Sequence, residues 1–247
     1  LLYNRMMKRK YLITGTGRCG TVYLARFLTS LGIPCGHESI FDWQGMRGAE
    51  KRLLGEKKIE LSFVSRAKYD GKDFKDLDDW IDLNHMEAES SYMSAPFLGE
   101  DTLKDIPVIH VVRNPIKVVN SFCNYIDYFK SGIGTNSYEQ FIYRHLPELK
   151  EDMPQYDRAC LYYVLWNEMI EKNNVFFHRI EDNKQPLLDF IGASGDYFDD
   201  HSVNTLKKIV NKKFLSPSQI ESEDIQDRFM SMGTRYGYNM SLKMMVI

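Results

Sequence analysis

The chain has 247 residues, 32 Lys+Arg against 34 Asp+Glu and a net charge of −2. That is long enough for one substantial α/β domain and lacks the basic excess of a general nucleic-acid binder. Its four cysteines, Cys19, Cys35, Cys123 and Cys160, form no CxxC pair and no metal-type spacing, so they read as reduced thiols in a cytoplasmic protein. The longest apolar runs, such as Val108–Val112, are too short to cross a bilayer, and the opening LLYNRMMKRKY lacks the apolar segment of a secretory signal.

In chain order, Lys10–Thr14 reads as a short apolar strand, followed by the glycine-rich turn GTGRCG. Thr21–Leu31 reads as an amphipathic helix with Tyr23, Leu24, Phe27, Leu28 and Leu31 on one face, closed by Gly32. Ile33-Pro34-Cys35 is a very short extended piece ending in Gly36-His37-Glu38. From about Phe41 to Glu89 the pattern is weak and highly charged, and reads as a variable insert of helices and loops that sets acceptor specificity. Ser91–Phe97 is expected to be a strand, and Ile106–Val112 a buried one. Asn114 can cap the next helix, with Pro115 in its first turn. A long helix is expected over Gln155–Glu171 and a strand over Val175–Phe177, with Arg179–Asp182 at its end. A mostly helical, polar tail follows from His201 to GTRYGYN. Strands alternating with helices predict one α/β domain over residues 1–247, built on an open, mostly parallel sheet covered on both faces. Ligands then bind beyond the carboxyl ends of the strands, where Gly15–Gly20 and Arg113 lie.

The strand–turn–helix at the start predicts a phosphate-binding loop, because the following helix aims its free N–H groups at the turn. Three readings compete for it. Gly15-Thr16-Gly17-Arg18-Cys19-Gly20 matches GxGxxG, with Glu38 near the position of an acidic ribose ligand. The second strand is very short and contains Pro34, however, and Arg18 is bulky where a backbone must approach a pyrophosphate. Gly15-xxxx-Gly20 also has the spacing of an ATP- or GTP-binding P-loop, but Thr21-Val22 stands where Lys-Ser/Thr is needed. The third reading puts the positive charge inside the loop, at Arg18, where it suits a 5′-phosphate carrying a sulfonate.

On these residues the sequence resembles the sulfotransferases that use 3′-phosphoadenosine-5′-phosphosulfate. TGTGRCGTVYLA is similar to their 5′-phosphosulfate loop, with Arg18 where many members have lysine. Val111-Val112-Arg113-Asn114-Pro115 followed by Ser121 is similar to their 3′-phosphate signature, after a buried strand and at a helix start. Weaker echoes lie in Trp166-Asn167, in FFHRIED and in the closing YGY. The resemblance implies a P-loop NTPase-like three-layer α/β fold, a donor held without metal, and sulfonate transfer to a hydroxyl or amine. It implies donor binding by Gly15, Thr16, Gly17, Arg18, Cys19, Gly20, Thr21 and Val22, with Arg113 and Ser121 on the 3′-phosphate and Arg18 also stabilising the leaving charge.

Cytosolic members of the family use a histidine as base after the variable region, and Glu89–Pro96 lacks one. Some bacterial members use a glutamate just after the second strand. Glu38 is accordingly the first candidate, His37 the second and His85 a distant third. Tyr162, Tyr163 and Trp166 read as core rather than as an adenine platform, and Asn211-Lys212-Lys213 as a solvated face. Cys19 fills a tight-turn position, with a lowered thiol pKa at the helix start left open. The acceptor, a small molecule or glycan, and the oligomeric state are not legible. The alternatives are a kinase-like P-loop enzyme and a nucleotide-binding regulatory protein that does not turn over.

Overall fold

The computed structural model describes residues 11–38, 41, 87–100, 103–124, 128–130, 137–194 and 219–240. Most of the 41–89 insert, His85 and Asn211-Lys212-Lys213 lie outside the described residues.

Five strands form one sheet: β1 (Tyr11–Thr14), β2 (Cys35–His37), β3 (Ala88–Ser90), β4 (Val108–Val112) and β5 (Val175–Arg179). Their order is β2-β3-β1-β4-β5, and every pairing is parallel. The helices are α1 (Thr21–Ser30), α2 (Pro115–Asn124), α3 (Ser137–His145), α4 (Gln155–Glu171), α5 (Gln185–Ile191) and α6 (Glu223–Arg235).

Alternate strand residues face opposite layers. Ile13, Ile109 and Val111 pack with Leu24, Phe27 and Leu28 of α1 and with Leu187, Leu188 and Ile191 of α5. Leu12, Val108 and Val112 pack with α2, α3, α4 and α6 on the other face. This is the three-layer, P-loop NTPase-like α/β fold, and both covered faces explain why Val108–Val112 is wholly buried. Because all five strands run the same way, the segments after β1, β2, β4 and β5 emerge at one edge. Among the described residues, no helix is long and apolar enough to cross a membrane.

Most expected elements form, with shifted ends. The strand expected over Ser91–Phe97 does not. The strand is Ala88–Ser90, and Tyr92–Phe97 is a 3₁₀ helix. Ser91 ends the strand because its Oγ accepts the N–H of Met93 at 3.2 Å, an N-cap that turns the chain.

Candidate functional site

The loop after β1 is held from beneath by packing and hydrogen bonds. A Cβ on Gly15 would fall within contact distance of the Val111 carbonyl oxygen and 2.6 Å from Cys19 Sγ, so only glycine fits. Trp166 on α4 donates its indole N–H to the Gly15 carbonyl at 3.1 Å and to that of Tyr92 at 3.2 Å. Gly17 N–H donates to Tyr162 Oη at 3.2 Å, and Tyr138 donates to the same hydroxyl at 3.2 Å. Tyr162 and Trp166 are thus core residues, as their spacing suggests, and also the fastening of the loop. The Gly17 N–H, expected among the anion donors, is already engaged with Tyr162. The signal in the sequence was chemical: a buried phenol or indole N–H needs a partner.

Gly20 precedes α1 at φ 114, and no side chain caps the helix. The N–H groups of Val22 and Tyr23 therefore lack intrahelical acceptors, while that of Thr21 is engaged with the Cys19 thiol. Cys19 is fully buried, and desolvation, only partly offset by Arg113, pushes its thiol up to about 12. That corrects the open expectation of a lowered thiol pKa.

Two clusters flank the loop. On the first flank, Arg18 takes φ 67, a left-handed conformation uncommon outside glycine, and is exposed. Its Nε donates to Ser121 Oγ on α2 at 2.9 Å. Arg113, just beyond β4, donates from Nη1 to the Arg18 carbonyl at 3.2 Å, and its own carbonyl accepts from Tyr163 Oη at 3.1 Å. The two sequence motifs therefore meet, and the loop arginine contacts the serine of the other motif. Asn114 caps α2 as expected, through the N–H of Lys117 at 3.2 Å. Its own N–H donates to Glu181 Oε1 at 3.1 Å, and Tyr238 donates to Glu181 Oε2 at 2.7 Å.

On the second flank, His37 Nε2 lies 3.2 Å from Thr21 Oγ1 and 3.5 Å from Glu38 Oε1. Burial, and secondarily the charge of Arg26, lower the His37 pKa to about 4. The ring is neutral at pH 7, so the contact with Glu38 is not an ion pair. Glu38 sits at φ 52. Arg18, Glu38 and the buried Phe129 (φ 61) are the non-glycine residues at positive φ among those described. Such strain, about 1–2 kcal/mol each, clusters at functional sites. Ser90, unforeseen in the sequence, ties this flank to the loop. Its Oγ donates to the Thr21 carbonyl at 2.9 Å, and its carbonyl accepts Glu38 N–H at 3.1 Å.

Tyr128 was also unforeseen. Its ring stacks on Tyr138 with centroids 4.4 Å apart. Its hydroxyl pKa is raised by burial first, then by Glu139 and Glu38, against a lowering by Arg18. Both flanks thus act on one phenol. Among the described residues, no group of three His, Cys, Asp or Glu is placed to hold a metal.

No protein-family model matches this chain, and no curated protein sequence matches it. Among solved structures, it is similar to a sulfotransferase from Alicyclobacillus acidocaldarius, at 12% identity over 93% of this chain and 92% of that chain, with a TM-score of 0.42.

Proposed function

We propose that this protein is a sulfotransferase that moves a sulfonate from 3′-phosphoadenosine-5′-phosphosulfate to a hydroxyl or amine of a small-molecule or glycan acceptor, without a metal. The observation that carries this reading is the meeting of Arg18, Arg113 and Ser121 beside a glycine loop that has no P-loop lysine. A P-loop enzyme holds the β/γ-phosphates and Mg²⁺ of a nucleoside triphosphate with the loop lysine and the Ser/Thr after it, and Thr21-Val22 stand at those positions. A nucleotide phosphorylated at both the 3′ and 5′ positions offers phosphates to the loop and to the arginines beside it.

The cradle supports the fit. Gly15 tolerates no side chain, and the uncapped start of α1 offers N–H groups and the Thr21 hydroxyl to a 5′-phosphate. Arg113 and Ser121 hold the 3′-phosphate. Arg18 reaches the bridging oxygen from its place on Ser121 and offsets the charge that grows there as the S–O bond breaks. Glu38 takes the proton of the acceptor, whose oxygen or nitrogen bonds to the sulfur as the bridging S–O bond breaks and adenosine 3′,5′-bisphosphate leaves.

The test is calorimetric titration with adenosine 3′,5′-bisphosphate and with adenosine 5′-phosphate, both in chelator. The bisphosphate should bind without Mg²⁺. Arg113→Ala should weaken it by about 1.5–3 kcal/mol, the scale of a charge-assisted hydrogen bond, and leave the monophosphate almost unchanged. Equal losses for both nucleotides, or binding only of ATP with Mg²⁺, would refute the assignment.

A further inference from the structure

His37 Nε2 faces two oxygens at once, Thr21 Oγ1 at 3.2 Å and Glu38 Oε1 at 3.5 Å. The ring is neutral at pH 7, because burial and Arg26 on α1 both disfavour its charged form. It therefore carries one hydrogen, on Nε2 or on Nδ1. With the hydrogen on Nδ1, a bare nitrogen lone pair would face a carboxylate oxygen, and Thr21 would have to give its only hydrogen to the ring. With the hydrogen on Nε2, the N–H donates to Thr21 Oγ1 and attracts Glu38 Oε1 at 3.5 Å, and the Thr21 hydrogen is left over. Thr21 opens α1, where no side chain caps the helix, and that hydrogen is not spent on the ring. Ser90 fixes the frame, since its hydroxyl holds the Thr21 backbone and its carbonyl holds that of Glu38.

We infer, on the reading of Gly15–Val22 as the donor loop, that His37 is a positioning residue and not the base: its Nε2–H holds the Glu38 carboxylate and the Thr21 oxygen together and leaves the Thr21 hydrogen for an anion in the loop. The two halves of the site become one unit, joined by the hydrogen bond to Thr21 and by the attraction of the same N–H for the carboxylate. An anion that accepts from Thr21 polarises that oxygen, and the His37 N–H is drawn toward it. Among the described residues, Arg26 from α1 and Glu38 from the end of β2 are charged groups that bear on the ring.

Nitrogen-15 NMR of histidine-labelled protein tests the tautomer, with His37→Gln assigning the signal. At pH 7 the ring should be neutral with its hydrogen on Nε2. Adenosine 3′,5′-bisphosphate should shift the Nε2 resonance without changing the tautomer. An Nδ1–H tautomer or a protonated ring overturns the proposal. Titration with the same nucleotide gives a second readout. His37→Ala and Thr21→Val should each weaken binding about 3- to 10-fold, the worth of one hydrogen bond. The double variant should lose no more than the weaker-binding single variant, because the two residues act as a unit. His37→Gln, whose amide N–H can stand where the ring N–H does, should restore most of the affinity. Additive losses, or failure of glutamine to rescue, also overturn it. If the unaltered protein binds no bisphosphate nucleotide, the donor reading fails, while the tautomer still decides the part assigned to His37.

Discussion

The two flanks of the loop are built on different physics. On one, Thr21 is buried and His37 and Glu38 are partly buried, and Ser90 pins both backbones from the neighbouring strand. On the other, Arg18 is exposed and Arg113 partly so, and two permanent charges rest on a hydroxyl and a carbonyl. The histidine flank is preset geometry around a neutral ring. The arginine flank is charge on long, adjustable side chains, suited to capturing an anion and turning with it. A phosphate that must be held and a proton that must be aimed make these different demands.

The sharpest way to separate the flanks is Glu38→Gln. With an acceptor found by screening, turnover should fall about 10²- to 10⁴-fold, the usual share of a general base. Affinity for adenosine 3′,5′-bisphosphate and thermal stability should stay put. A parallel loss of nucleotide affinity would show that the flanks do not divide the work this way.

Gly15→Ala should damage both flanks together, because they share the loop. Its methyl group would be forced onto the Val111 carbonyl and Cys19 Sγ. Overpacking of this kind costs about 3 kcal/mol, which denaturant unfolding should register along with lost nucleotide binding. Full stability in the variant would mean that the loop is free to shift.

Acid should act on the preset flank and leave the charged one alone. His37, with His110 on β4 and His178 on β5, has a pKa lowered to about 4, each chiefly by burial. Between that value and the ordinary 6.5 the unfolded chain binds more protons than the folded one, so stability rises with pH there. It should be flat above about pH 6.5 and fall by about 1–2 kcal/mol per histidine by pH 5. Arginines do not titrate in this range. His37→Gln should flatten part of the slope in pH-dependent unfolding, and an unchanged slope would remove His37 from the account.

Much of the frame was legible. Tyr11–Thr14, Val108–Val112 and Gln155–Glu171 announce themselves by apolar runs or helical period, and the loop by its glycines. Strand β3 did not, because Ala-Glu-Ser carries no apolar pattern and is buried by its neighbours β1 and β2 rather than by its own chemistry. Helices α3 and α5 passed unread as well, being short and mixed in polarity. In the site, residue types and motifs could be read, but not which groups meet. Nothing in the spacing tells that Arg18 turns to Ser121, that Ser90 clasps Thr21, or that Tyr128 comes within range of both flanks. Those follow from left-handed backbone at Arg18 and from register between strands far apart in sequence.

All four cysteines are buried: Cys19 in the loop, Cys35 on β2, Cys123 on α2 and Cys160 on α4. Burial raises the Cys19, Cys35 and Cys160 thiols, so the reactive thiolate is scarce as well as inaccessible. Each is thereby a built-in clock. An alkylating reagent in excess records how often a given element opens, and the order in which the four sulfurs are trapped becomes a map of which parts of the molecule breathe first.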